Sequence, residues 1–142
     1  MADSPVILDA SALVALLCKE KGWQIIDKIL RSKDAVTTPT GLAETFNICK
    51  RKNTGLSRTE IYEYLISLGL KVEPLIEEDA LEIAFILERA ALLPLNNPKS
   101  HSLSLADAAC LALGRRLGGV VVFSDNFWEE LDIPGIAISS FR

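Results

Sequence analysis

Short unbroken apolar runs alternate along this chain with longer segments whose apolar residues recur at helical spacing. Val6-Ile7-Leu8 and Val120-Val121-Val122-Phe123 have the length and β-branched character of buried strands. Ala35-Val36-Thr37 predicts another strand, and Ile136-Ala137-Ile138 a last one. Lys71 to Ile76 predicts a strand that Pro74 confines to a sheet edge or to a short length. Between these runs, Ala12 to Leu17 predicts a short helix. Ile25, Ile26, Ile29 and Leu30 form the stripe of a helix from Trp23 to about Arg31. Pro39 fits the first turn of a helix reaching about Lys52. Ser57 and Glu60 have capping-box spacing and open a helix to about Leu68. Glu77-Glu78-Asp79 favours a helix N-terminus, with Ala80 to Ala91 as its body. Residues 92–102 hold two prolines and two asparagines and read as a loop. A further helix, from about Leu103 to Leu117, ends at Gly118-Gly119, and Asn126 to Leu131 predicts a short helical turn.

Strands that alternate with helices predict an α/β fold: a mainly parallel central sheet flanked by helices, in a single domain over residues 1–142. That length suits one core, and no repeat, low-complexity tract or long linker divides it. Hydrophobic residues at 49% and charged residues at 24% describe a globular chain rather than a disordered one. No apolar run approaches the roughly 18 residues that span a bilayer. Met1-Ala2-Asp3-Ser4-Pro5 lacks the basic and apolar regions of a signal peptide, so a cytoplasmic protein without a membrane partner is expected. Cys18, Cys49 and Cys110 are odd in number, far apart and each set in an apolar stretch, which predicts buried free thiols. A net charge of −4 is not that of a strongly basic nucleic-acid binder, so any such contact must use local clusters of cations.

In parallel α/β sheets, ligands bind beyond the carboxyl ends of the strands. That rule singles out Asp9 and Asp125, which follow the two clearest strands. Each can also cap the helix after it. Glu44 lies on the first turns of its helix, where it can face solvent or complement the helix dipole. Asp107 stands at capping-box spacing from Ser104, yet it is the only charge between Lys99 and Arg115. A lone charge in so apolar a segment is expensive unless it is paired or bound to a metal. Singly, each acid has a structural explanation. Jointly, the sheet rule brings all four to one edge. Oxygen-only ligands of high charge suit Mg²⁺ or Mn²⁺, and without a cation they repel and raise one another's pKa.

Val6-Ile7-Leu8-Asp9-Ala10-Ser11-Ala12-Leu13 resembles the opening of PIN-domain nucleases, and Leu42-Ala43-Glu44 resembles their second acidic position. The segment from Leu103 to Leu113, with Asp107 inside it, is similar to the third, and Phe123-Ser124-Asp125-Asn126-Phe127-Trp128 to the fourth. Order and spacing match from Val6 to about Ile138, and the third motif most resembles the VapC-type toxins of bacterial toxin–antitoxin pairs. The resemblance implies a metal-dependent endoribonuclease, a cognate antitoxin and often a homodimer. RNA would be cut by a metal-activated water held by the four carboxylates. Asp9, Asp107 and Asp125 are the expected ligands of Mg²⁺ or Mn²⁺, with Glu44 binding directly, through water, or orienting the nucleophile. The family often carries Thr or Ser two residues before its last acid. Here Phe123 stands there, the hydroxyl sits on Ser124, and Ser11 can supply another.

Lys50-Arg51-Lys52, Arg58 and Arg115-Arg116 are candidate RNA phosphate contacts, or equally solvated helix ends. His101, the single histidine, reads as a solvated loop residue. Trp23 and Trp128 read as core or interface aromatics, and the stretch of Tyr62, Leu65, Ile66 and Leu68 to Leu70 as a partner face or as core. Two other classes compete. A receiver-type signalling module would want a lysine after a late strand, and none follows Gly135-Ile136-Ala137-Ile138-Ser139. An inactive interaction module would have no use for four retained carboxylates.

Overall fold

Five short strands, all parallel, form the centre of the computed structural model, which describes residues 4–92, 103–124, 128, 131 and 133–142. They are β1 (Val6–Leu8), β2 (Ala35–Thr37), β3 (Lys71–Val72), β4 (Val120–Phe123) and β5 (Ala137–Ser140), in the spatial order β3-β2-β1-β4-β5. The helices are α1 (Ala10–Cys18), α2 (Trp23–Ser32), α3 (Pro39–Arg51), α4 (Arg58–Ser67), α5 (Asp79–Ala91) and α6 (Leu105–Leu117). The expected α/β class is borne out, and the sheet is wholly rather than mainly parallel among the described residues.

Successive strand residues face opposite sides of a sheet, and here both sides are covered. Leu8, Ala35 and Val122 join α1 to α4 in one buried cluster. Ile7, Val36, Val121 and Phe123 join α5 and α6 in the other. This explains why β1 and β4 read as unbroken apolar runs. Phe123 is fully buried, its ring stacked on Trp128 with centroids 4.7 Å apart. Helix α6 lies very close to β4. A Cβ built on Gly114 would stand 2.4 Å from the Val121 side chain, so only glycine permits that approach.

Two of the differences in extent from the sequence expectation have a local cause. β3 covers only Lys71–Val72 at the sheet edge, before Pro74, which has no N–H to donate to a ladder. α1 begins at Ala10, two residues early, because Asp9 itself caps it. The Ser57–Glu60 capping box forms as read, and Gly118 ends α6 in the left-handed conformation. Leu65 and Leu70 are buried while Tyr62 and Ile66 are exposed, so that stretch divides between core and surface. Cys49 and Cys110 are buried and Cys18 is half-buried, all as free thiols. Among the described residues no helix is long and apolar enough to cross a membrane.

The topology positions a site. From β1 the chain proceeds outward to β2 and β3, then returns to build β4 and β5 on the other side of β1. Strand order therefore reverses between β1 and β4, and the crevice beyond their carboxyl ends is where ligands of such sheets bind.

Candidate active site

Asp9 stands at that crevice, directly after β1. Its N–H donates to the Val122 carbonyl at 3.3 Å, tying it to β4, and its side chain is 3% exposed. One carboxylate oxygen accepts from the Ala12 N–H at 2.9 Å, the N-cap bond of α1. The Ser11 hydroxyl lies 2.7 and 2.9 Å from the two oxygens and donates to the carboxylate. Ser11 Oγ in turn accepts from the Ser124 N–H at 3.2 Å, which ties the residue after β4 to the Asp9 cap.

Burial pushes the Asp9 carboxyl from 3.8 up to about 7; the Ser11 and Ala12 hydrogen bonds pull it down, and the nearby Asp107 charge adds to the rise. Cys110, buried beside Asp9 and Asp107, has its thiol pushed far above the usual range and stays protonated.

Asp107 and Glu44 reach the same region from two helices. Ser104 caps α6: its hydroxyl accepts from the Asp107 N–H at 3.0 Å, and its own N–H donates to Asp107 Oδ2 at 3.1 Å. The same hydroxyl lies 3.4 Å from Glu44 Oε2, so Ser104 joins the second acid to the third. Glu44 is placed by α3, which packs against α1 on one side and α6 on the other. The start of α3 is held close to β2. Thr38 caps Gly41 N–H at 2.8 Å, Thr37 donates to the Leu8 carbonyl at 2.8 Å, and a Cβ on Gly41 would meet both threonine hydroxyls at 3.0 Å.

Asp9, Asp107 and Glu44 are thus brought to one end of the sheet, the first two through their charges and the last two through Ser104. Among the described residues no three Asp, Glu, Cys or His side chains stand close enough to hold one ion. Asp125 and His101 lie outside the described residues. The donors are all oxygen, and Asp9 is a buried carboxylate with an acidic neighbour. That chemistry fits a hard divalent cation such as Mg²⁺ or Mn²⁺. The capping explanations for Asp9 and Asp107 also hold, so each serves the start of its helix. Sequence reasoning saw the Ser104–Asp107 spacing but not the bond from Ser104 to Glu44, 60 residues away.

The basic candidates separate. Arg115 pairs with Glu82 at 2.8 Å, and Arg116 with Asp79 at 3.0 Å, both at the far end of α6 from Asp107, about 12 Å along its axis. Lys52 pairs with Glu20 at 2.7 Å. Lys50 and Arg51 are exposed at the end of α3, and Lys50 lines a groove between α3 and α4. Trp128 is buried, and Lys19 lies over the Trp23 ring, 5.6 Å from its centroid.

Comparison with known proteins places this geometry. The model of the PIN domain family matches residues 6–134. No curated protein matches the chain. Among solved structures, the chain is similar to one in DNA-bound VapBC from Salmonella typhimurium, at 19% identity and TM-score 0.69 over 100% of both chains. It is similar to one in Rickettsia felis VapBC2 bound to a promoter fragment, at 10% identity and TM-score 0.69, covering 96% of this chain and 98% of that one. Mycobacterium tuberculosis VapC20, a toxin that cleaves the sarcin–ricin loop, matches at 16% identity and TM-score 0.66, covering 93% and 98%. At these identities the likeness to solved structures is one of fold.

Proposed function

The chain belongs to the PIN domain family, and from that premise we propose that it is a metal-dependent endoribonuclease, the toxin of a type II toxin–antitoxin pair. The observation that carries the reading is Asp9: a carboxylate buried at the strand-order reversal, hydrogen-bonded, and pushed up to about 7 beside Asp107. A fold that only needed to cap α1 could use serine or asparagine there without desolvating a charge. The fold neighbours include VapBC complexes and an RNA-cleaving toxin, which supports the finer reading.

In this reading Asp9, Asp107 and Asp125 hold Mg²⁺ or Mn²⁺, and Glu44 binds it or orients water. When bound, the metal lowers the pKa of water and offsets charge on the scissile phosphate. The chain's own residues prepare the place. Ser11 fixes the Asp9 carboxylate, and its bond from Ser124 N–H couples that carboxylate to the chain entering Asp125. Ser104 sets the spacing of Glu44 and Asp107. With Phe123 packed in the core, Ser11 and Ser124 join Ser104 as the hydroxyls that support the centre.

A cognate antitoxin would block the crevice with a basic side chain, since arginine pairs well with clustered carboxylates. Self-association is part of the same reading: Leu81 and Phe85 of α5, and Leu92 directly after it, are exposed at spacings that share one helix face. Expression of the chain alone is expected to arrest growth, and co-expression of its partner to restore it. The purified chain should cleave RNA in Mg²⁺ and lose that activity on adding the partner. Harmless expression of a soluble chain that cleaves RNA in vitro would contradict the toxin assignment. A chain inert toward RNA with Mg²⁺ or Mn²⁺ would favour the partner-binding module instead.

A further inference from the structure

Many cations of this acidic chain are engaged. Among the described residues Arg31, Lys52, Lys71, Arg115, Arg116 and Arg142 each pair with a carboxylate. Lys50, Arg51 and Arg58 make no such contact, and they gather where α3 ends and α4 begins. Lys50 and Arg58 both line a groove of about 580 Å³ between these helices. Its other walls include Phe46, Asn47, Leu56 and Ile61, so an aromatic ring and a side-chain amide share the groove with the two charges. Ala43 also lines it, and Lys50 lies six residues beyond Glu44, about 9 Å along the same helix.

We propose that this groove is a subsite for single-stranded RNA, in which Lys50 and Arg58 hold phosphates of nucleotides adjoining the cut, Phe46 stacks a base and Asn47 meets its edge. The inference rests on the ribonuclease reading and adds the surface along which the substrate leaves the acidic crevice. Carboxylates cannot hold a polyanion by themselves, and the net charge of −4 opposes one, so the cations with no acidic partner mark where its phosphates are tolerated. A cationic groove with an aromatic side chain in its wall is what binds single strands, because every base has a face to stack and the backbone carries the charge. The short distance along α3 from Lys50 to Glu44, and the aromatic and amide side chains in the lining, favour RNA over an acidic segment of a protein partner.

The test is anisotropy of a short labelled oligoribonucleotide of mixed sequence, titrated with the full chain in EDTA over a range of salt. Lys50→Ala/Arg58→Ala changes two exposed residues and is expected to weaken binding by about tenfold or more at low salt. The slope of log affinity against log salt should flatten by about 1.4, that of two lost phosphate contacts. Phe46→Leu keeps an apolar residue in the wall and is expected to weaken binding about tenfold with the slope unchanged. Unchanged affinity and slope in the double variant, with wild-type cleavage intact, overturns the subsite and leaves the ribonuclease reading standing. Unchanged RNA binding with lost affinity for the protein partner makes the groove a docking face and also overturns it. Failure of the wild-type chain to bind RNA at all overturns it as well. Variant-sensitive binding by a chain that never cleaves RNA supports the subsite and removes the nuclease reading alone.

Discussion

Asp9→Asn is expected to abolish RNA cleavage while raising the melting temperature of the metal-free chain. Removing a ligand that positions a metal forfeits several kcal/mol of transition-state stabilisation, and about 4 kcal/mol is about a thousandfold in rate. The gain in stability follows from burial. Asn keeps an oxygen to accept from the Ala12 N–H, so the α1 cap survives, but it carries no charge to desolvate. The folded carboxyl ionises near 7 against 3.8 for the free group, so the folded chain holds a proton that the unfolded chain has already released. Wild-type stability therefore falls as pH rises from about 4 to 7 and is level above that. The advantage of the Asn variant grows over the same window, to about 4 kcal/mol at most, and several degrees in melting temperature are expected at pH 8. Thermal melts in EDTA at pH 5 and pH 8, beside a cleavage assay in Mg²⁺, check both halves. An Asn variant that melts lower than wild type at pH 8 and still cleaves would make Asp9 only a helix cap.

Arg116→Ala is expected to be the most damaging change at any of the basic positions. Asp79 is 2% exposed, and Arg116 pairs with it through two guanidinium nitrogens at 3.0 and 3.1 Å while also donating to the Pro74 carbonyl. Removing the arginine leaves a buried carboxylate that, among the described residues, keeps the Ile76 N–H, a loss of about 3–5 kcal/mol. In a chain of this size that lowers the melting temperature by about 10 °C. Arg115→Ala breaks only a pair whose two side chains remain over a third exposed, so less than about 1 kcal/mol is expected. Binding of the labelled oligoribonucleotide below the melting temperature should be unchanged in both. If Arg116→Ala instead kept wild-type stability and lost RNA affinity, Arg116 would be a phosphate contact.

These contrasts show what the sequence makes legible. Val6-Ile7-Leu8 and Val120-Val121-Val122-Phe123 announce buried strands because both faces of the sheet are covered, and that places Asp9. Capping chemistry is local, so Ser57 with Glu60 and Ser104 with Asp107 could be read from spacing alone. What could not be read is pairing across the fold. Arg116 looks like a surface cation at a helix end until α5 brings Asp79 to it from 37 residues away. Lys52 looks like its neighbour Lys50, yet one turns to Glu20 and the other lines the groove. Ser104 was visible as a cap, but its reach to Glu44 depends on how α3 lies beside α6. Local hydrogen bonds have a sequence period; tertiary ion pairs do not.

RNA can be cut by its own 2′-hydroxyl, which leaves a cyclic phosphate and calls for two positioned acid–base groups, often histidines. The chain has one histidine, and the proposed centre is built of carboxylates, which suits attack by water from outside the strand. End-group analysis of a defined RNA cut by the purified chain therefore bears most directly on the carboxylate centre. Fragments with a 5′-phosphate and a 3′-hydroxyl are predicted in Mg²⁺, none in EDTA, and a single 2′-deoxy substitution at the cut should slow the reaction little. A cyclic-phosphate product, or undiminished cleavage in EDTA, would contradict it.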